Sequence, residues 1–138
     1  MKYLLDTNAC IALINATPPV VRARFEKTLR AGGEMFTPSV VAYELWYGVA
    51  KSGRPEKNAA RVETFFAGPV EVLSFEDEDA RAAGKLRVAL ERVGRPIGAY
   101  DALIAGQALR RGLTLVTSNA REFGRVKGLL WEDWGVES

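Results

Sequence analysis

The 138-residue chain contains no histidine and a single cysteine. Without imidazole, four kinds of chemistry are excluded: Ser-His-Asp hydrolysis, a His-paired cysteine nucleophile, a His-liganded zinc centre, and a ribonuclease that moves protons between histidines. Any catalysis must run on other groups. Cys10 has no partner for an internal disulfide and lies in the apolar stretch "NACIALI", which points to a buried thiol in a reducing cytosol. Long hydrophobic runs are also missing. Asp6 and Asn8 break the apolar start before it could act as a signal-peptide core, and no stretch is long enough to span a membrane. Neither sign of charge dominates: 19 basic against 17 acidic residues leave a net +2, which permits a polyanionic partner without indicating one.

What is present reads as one globular domain over residues 1–138, 48% hydrophobic and 26% charged. A chain of this size buries about two-thirds of its unfolded surface and needs no staple. Short apolar runs at residues 2–5 ("KYLL"), 34–37 ("EMFT"), 70–73 ("VEVL"), 113–116 ("LTLV") and 129–131 ("LLW") read as strands. Residues 20–31, 39–51, 55–66, 77–93 and 98–111 read as helices, and "ACIALI" after Asp6 as a further one. "TPP", "GG", "SGRP", "GP", "VGRPIG" and "RG" fall between these elements as turn signals. Strands alternating with helices predict an α/β fold, a three-layer α/β/α sandwich around a mostly parallel sheet. Ligands of such sheets bind beyond the carboxyl ends of the strands. Asp6 ends the first strand there, and Thr117 and Asn119 follow "LTLV" directly.

Two further carboxylates stand where apolar residues would be easier to bury. In "SVVAYELWYGVAK", Glu44 shares a helical face with Val41, Leu45 and Gly48; in "GAYDALIAGQALRR", Asp101 lies in line with Ile104, Ala105 and Ala108. Each acid taken alone has an ordinary reading. Asp6 could cap the helix that follows, Asp101 could cap late or pair with a buried arginine, and Glu44 could sit at a helix edge beside a lysine. Together, from three separate elements, they point to a shared site. Converging carboxylates raise one another's pKa values, and a divalent cation relieves the repulsion. Oxygen donors without His or Cys select a hard ion, Mg²⁺ or Mn²⁺, of the kind that acts on phosphates.

In "LLDTN", "VVAYELWYG", "IGAYDALIAGQA" and "LVTSNAREF" the chain resembles the PIN-domain ribonucleases, specifically the VapC-type toxins of bacterial toxin-antitoxin pairs. The four motifs run through the whole chain in the family's order. The resemblance implies a Mg²⁺- or Mn²⁺-dependent endoribonuclease, a cognate VapB-type antitoxin that inhibits it, and a homodimer. It puts the family's acidic residues on Asp6, Glu44 and Asp101, its polar pair on Thr7 and Asn8, and its last hydroxyl on Thr117. At the fourth acidic position Asn119 stands where an Asp is often found; Glu122, one helical turn on, can supply the charge, with Asn119 orienting it or holding water. In the mechanism this implies, Asp6 and Asp101 are the main metal ligands and Glu44 an outer ligand or base. In-line attack by water then leaves a 5′-phosphate and a 3′-hydroxyl.

RNA needs cations around such a pocket, and Arg110, Arg111, Arg121, Arg125 and Lys127 are the candidates. Tyr43, Trp46, Tyr47 and Ala50 form a second apolar stripe on the Glu44 helix, which suits either the core or a protein interface. Other functions fit the pattern less well. A haloacid-dehalogenase-type phosphatase would need a second Asp where Asn8 stands, and a receiver-like signalling domain an acidic pair with a phosphorylated Asp after a central strand. A catalytically inactive RNA- or protein-binding module and a structure-directed DNA nuclease stay open as alternatives.

Overall fold

Short runs of two to five residues, mostly apolar and each stopped by a turn or a helix start, pair side by side into one sheet. The computed structural model describes residues 1–136. In chain order the elements are β1 (Lys2–Leu5), α1 (Thr7–Asn15), α2 (Pro19–Arg30), β2 (Glu34–Pro38), α3 (Ser39–Lys51), α4 (Pro55–Phe66), β3 (Val70–Leu73), α5 (Asp77–Arg92), α6 (Ala99–Arg111), β4 (Thr114–Val116), α7 (Ala120–Phe123) and β5 (Trp131–Glu132). The sheet order is β3-β2-β1-β4-β5, and every pairing is parallel. β1 lies at the centre, with Leu4 opposite Phe36 on one side and Leu115 on the other. Leu4, Leu5 and Leu115 are wholly buried, as expected of strands covered on both faces.

From β1 the chain steps outward through β2 to β3, then returns past the centre to β4 and β5. Parallel crossovers are right-handed, so α1 to α4 cover one face of the sheet and α5 and α6 the other. This is the predicted three-layer sandwich. The order reverses between β1 and β4, which opens a crevice beyond their carboxyl ends.

Boundaries differ from the sequence reading at a few places. α2 starts one residue early because Pro19 suits the first turn of a helix. The late strand is Trp131–Glu132 rather than residues 129–131: the Leu115 and Thr117 N–H groups donate to the Leu130 and Glu132 carbonyls and set that register. Trp134 closes the core behind it, buried against Tyr3 (5.6 Å between ring centres) and Phe25 (6.4 Å). Cys10 is buried as expected, 3.5 Å from the Thr37 hydroxyl, and burial pushes its thiol up to about 12, so it is inert. α5 and α6 approach closely at Gly106, where a Cβ would fall 2.6 Å from the Ala83 backbone.

Candidate active site

Asp6 is the first residue past β1 and is 5% exposed. Its Oδ1 accepts the Ala9 N–H (2.8 Å), so it does cap α1. The capping reading and the site reading therefore hold for the same side chain. The Thr117 hydroxyl, at the end of the neighbouring β4, bonds the same carboxylate and in turn accepts the Asn119 N–H (2.9 Å). Burial raises the Asp6 pKa despite these bonds, and Glu44 and Asp133 push it further.

Three more carboxylates face this point from other elements. Glu44 sits half-buried on α3 and accepts the Thr7 hydroxyl at 2.8 Å. Val41 and Leu45 on its face are buried, but Gly48 is exposed, so Glu44 lies at the edge of the apolar stripe rather than inside it. Asp101 occupies the first turn of α6, just ahead of the fully covered run Ile104–Ala108. Its pKa is pushed up to about 7, first by burial and then by Glu122, to which it also hydrogen-bonds, with Asp6 and Glu44 adding to the effect. Glu122, on α7, is held below the usual carboxylate range chiefly by the Gly98 N–H (2.7 Å to Oε1). Burial opposes this, while Asn119 Nδ2 (2.9 Å to Oε2), Asp101 and Arg125 reinforce it. A Cβ on Gly98 would lie 3.6 Å from Glu122 Oε1 and 3.8 Å from Asp101 Oδ2, so these two carboxyls meet across that glycine.

Four carboxylates thus gather at the β1/β4 crevice, supported by Thr7, Thr117, Asn119 and a backbone N–H. Among the described residues no three His, Cys, Asp or Glu side chains form a ready-made metal cage. A hard cation does not need one, because Mg²⁺ keeps several waters and takes one or two carboxylates directly. A carboxyl that holds its proton to near neutrality among other acids is an unmet demand for positive charge. The donor set and its electrostatics therefore fit a hard divalent ion.

The remaining sequence candidates fall in different places. Asn8 is exposed and lines a groove with Thr117, Ser118 and Asp133 beside the acids. Arg110 and Arg111, expected around the acids, sit elsewhere. They close the far end of α6, about 14 Å along the axis from Asp101 at 1.5 Å per residue. Arg111 pairs there with buried Asp79 (3.0 Å) and with Glu76 (2.9 Å), while Arg110 lies 3.7 Å from both, so neither belongs to the acidic pocket. Arg121 and Arg125 lie next to Glu122, on the outer side of α7; Lys127 follows on the exposed surface. The Tyr43, Trp46 and Tyr47 stripe is not core: these residues are 54%, 38% and 57% exposed. Tyr43 packs on Tyr47 and Tyr100, and Trp46 on Phe66. Two contributors escape the sequence reading. Gly98 acts through its backbone, a role that neither the turn signal "VGRPIG" nor the motif "IGAYDALIAGQA" gives it; Asp133, a further acid near Asp6, follows a two-residue strand with no motif around it.

Residues 3–129 match the PIN domain family. The chain is 46% identical over 134 residues to the tRNA(fMet)-specific endonuclease VapC of Shigella flexneri, covering 97% of this chain and 98% of that one. It is 43% identical, with the same coverage, to the protein of that name from Salmonella typhimurium. Among solved structures it is similar to the VapBC2 complex of Rickettsia felis bound to a DNA fragment from its promoter (TM-score 0.90, 36% identity, 97% and 99% of the two chains). It is also similar to the DNA-bound VapBC complex of Salmonella typhimurium (TM-score 0.88, 43% identity, 97% and 98%). With its acids at the switch point of the sheet and matches of this extent, the chain belongs to the PIN-domain family, within its VapC-type ribonuclease toxins.

Proposed function

We propose that this chain is an endoribonuclease toxin that hydrolyses a phosphodiester bond in transfer RNA and is held inactive by a VapB-type antitoxin. The observation that carries the reading is the convergence of Asp6, Glu44, Asp101 and Glu122, where burial first and then the other three acids push Asp101 up to about 7. Transfer RNA is the substrate in the names of the relatives from Shigella flexneri and Salmonella typhimurium. The presence of VapB beside VapC in the similar complexes supports the antitoxin. Exposed Tyr43, Trp46 and Tyr47 offer an apolar surface for a protein contact, either a second copy or the antitoxin.

Asp6 and Asp101 would hold a Mg²⁺ or Mn²⁺ ion directly, with Glu44 and Glu122 acting through its waters. When bound, such an ion neutralises charge on the phosphate and makes water a competent nucleophile. The chain's own residues do the positioning. Thr117 and the Ala9 N–H orient the Asp6 carboxylate, Thr7 holds one oxygen of Glu44, and Asn119 with the Gly98 N–H fixes both oxygens of Glu122. Glu44, bonded through Oε1, keeps Oε2 free to take a proton from the attacking water. Attack by water on the phosphorus breaks the bond to the 3′-oxygen, which leaves as the 3′-hydroxyl, while the phosphate stays on the 5′-carbon of the downstream fragment.

End-group analysis of the cleaved RNA tests this. A 5′-phosphate and a 3′-hydroxyl are expected. A 2′,3′-cyclic phosphate would mean attack by the RNA's own 2′-hydroxyl and would refute hydrolysis by an activated water.

A further inference from the structure

The segment that carries Glu122 into the acidic cluster has an oppositely charged outer side. Arg95, from the turn between α5 and α6, and Arg121 and Arg125, from α7 and the residue after its cap, converge on a pit of about 600 Å³ also lined by Ala120 and Gly124. A Cβ on Gly124 would fall 2.6 Å from the Ala120 carbonyl, so the backbone turns tightly there and only a glycine fits. Arg125 Nη1 donates to the Pro96 carbonyl (3.1 Å), just as the Gly98 N–H binds Glu122, so α7 is laced to residues 96–98 at two points. Arg121 and Arg125 stand four residues apart, a spacing at which like charges repel. Among the described residues none of the three guanidiniums lies within ion-pair distance of a carboxylate, a state they share with Arg30, Arg54, Arg61 and Arg92, but these three line one common pit. Three cations are therefore gathered beside the four carboxylates, and Arg125 also acts electrostatically on Glu122.

We propose that this pit is a phosphate subsite of the substrate strand, taking a backbone phosphate that flanks the scissile one. The inference rests on the RNA-hydrolase reading given above. Guanidinium forks match phosphate oxygens with paired hydrogen bonds, which suits arginine rather than lysine at all three positions. The acidic pocket repels a polyanion, so a strand held there needs a cationic anchor alongside. Two of the three arginines, Arg121 and Arg125, lie within three residues of Glu122 in the chain. No aromatic side chain lines the pit, so the site grips the backbone and positions the strand without selecting a base.

The test is binding of a short fluorescein-labelled single-stranded RNA to the full chain carrying Asp6→Asn, which keeps a cap on α1 but blocks cleavage, followed over a range of KCl concentrations. Adding Arg95→Gln with Arg121→Gln should weaken binding about tenfold. It should also flatten the slope of log affinity against log salt by about 0.7 for each phosphate that is no longer neutralised. Arg81→Gln, which removes an arginine ion-paired with Asp77 on α5, should leave the slope unchanged. Should the double variant melt early, exposed Arg121→Glu alone is expected to give the same flattening. Folded pit variants that keep the parent's slope and affinity would overturn the subsite. RNA that binds none of these proteins, the Asp6→Asn parent included, would overturn the RNA-hydrolase reading and the subsite with it.

Discussion

Asp101 carries the main energetic cost of the acidic cluster. Its value of about 7 in the fold lies above the usual carboxylate value of about 3.9, so the folded metal-free protein holds a proton that the unfolded chain has released. Stability from that proton is complete below about pH 4 and is lost as pH rises through about 7. Asp101→Asn removes the loss. The variant is expected to melt above the parent in EDTA at about pH 8 while cleaving no RNA, whereas a fully active variant would reject the role of Asp101. A bound cation must displace the same proton, so the rise in melting temperature produced by Mg²⁺ should be small near pH 6 and larger near pH 8. Asp101→Asn should flatten that pH dependence. Equal Mg²⁺ shifts at both pH values in the parent would take Asp101 out of the ion's ligands.

Helices place these groups, and one helix has a different job at each end. The amino end of α6 presents Asp101 to the crevice, while its carboxyl end ties α5 to the sheet through Arg110 and Arg111. Burial pushes Asp79 up, but Arg111, the Glu76 N–H and Arg110 outweigh it and leave the carboxyl below its usual range. A depressed value adds stability above about pH 4 that is lost as pH falls through the folded value. Arg111→Ala is therefore expected to cost about 2 kcal/mol in urea unfolding at neutral pH, with Arg110 retaining part of the pairing. RNA affinity should not change; weaker RNA binding with unchanged stability would return Arg111 to the substrate face. This is also where the sequence is hard to read. Apolar runs and turn signals locate nearly every element to within a residue or two, because burial on both sheet faces leaves a clear pattern. Whether Arg111 turns toward the acids or away from them, by contrast, depends on Glu76 and Asp79, more than thirty residues away in the chain. The exposure of Tyr43 and Tyr47 is likewise hidden, since an aromatic stripe fits a core and a surface equally well.

The molecule as a whole works as a switch-point enzyme: strand order reverses between β1 and β4, and everything chemical gathers beyond those two carboxyl ends. Asp6 and Thr117 come from the strands themselves, Glu44 from the helices on one face, Asp101 and Glu122 from those on the other side of the reversal. The three principal acids are legible because Asp6 ends an apolar strand, Asp101 precedes an apolar helical run and Glu44 borders an apolar stripe. The bond that Gly98 makes to Glu122 is not, because a backbone N–H leaves no mark on the sequence. The central claim is that this gathering of carboxylates hydrolyses RNA only with a divalent cation. The most direct measurement is cleavage of total RNA and purified transfer RNA by the antitoxin-free chain in Mg²⁺, Mn²⁺ or EDTA, beside Asp6→Asn. Discrete transfer RNA fragments that need the metal and vanish in the variant are the expected result. Fragments that persist in EDTA or in folded Asp6→Asn, or no cleavage by the folded chain, would contradict it.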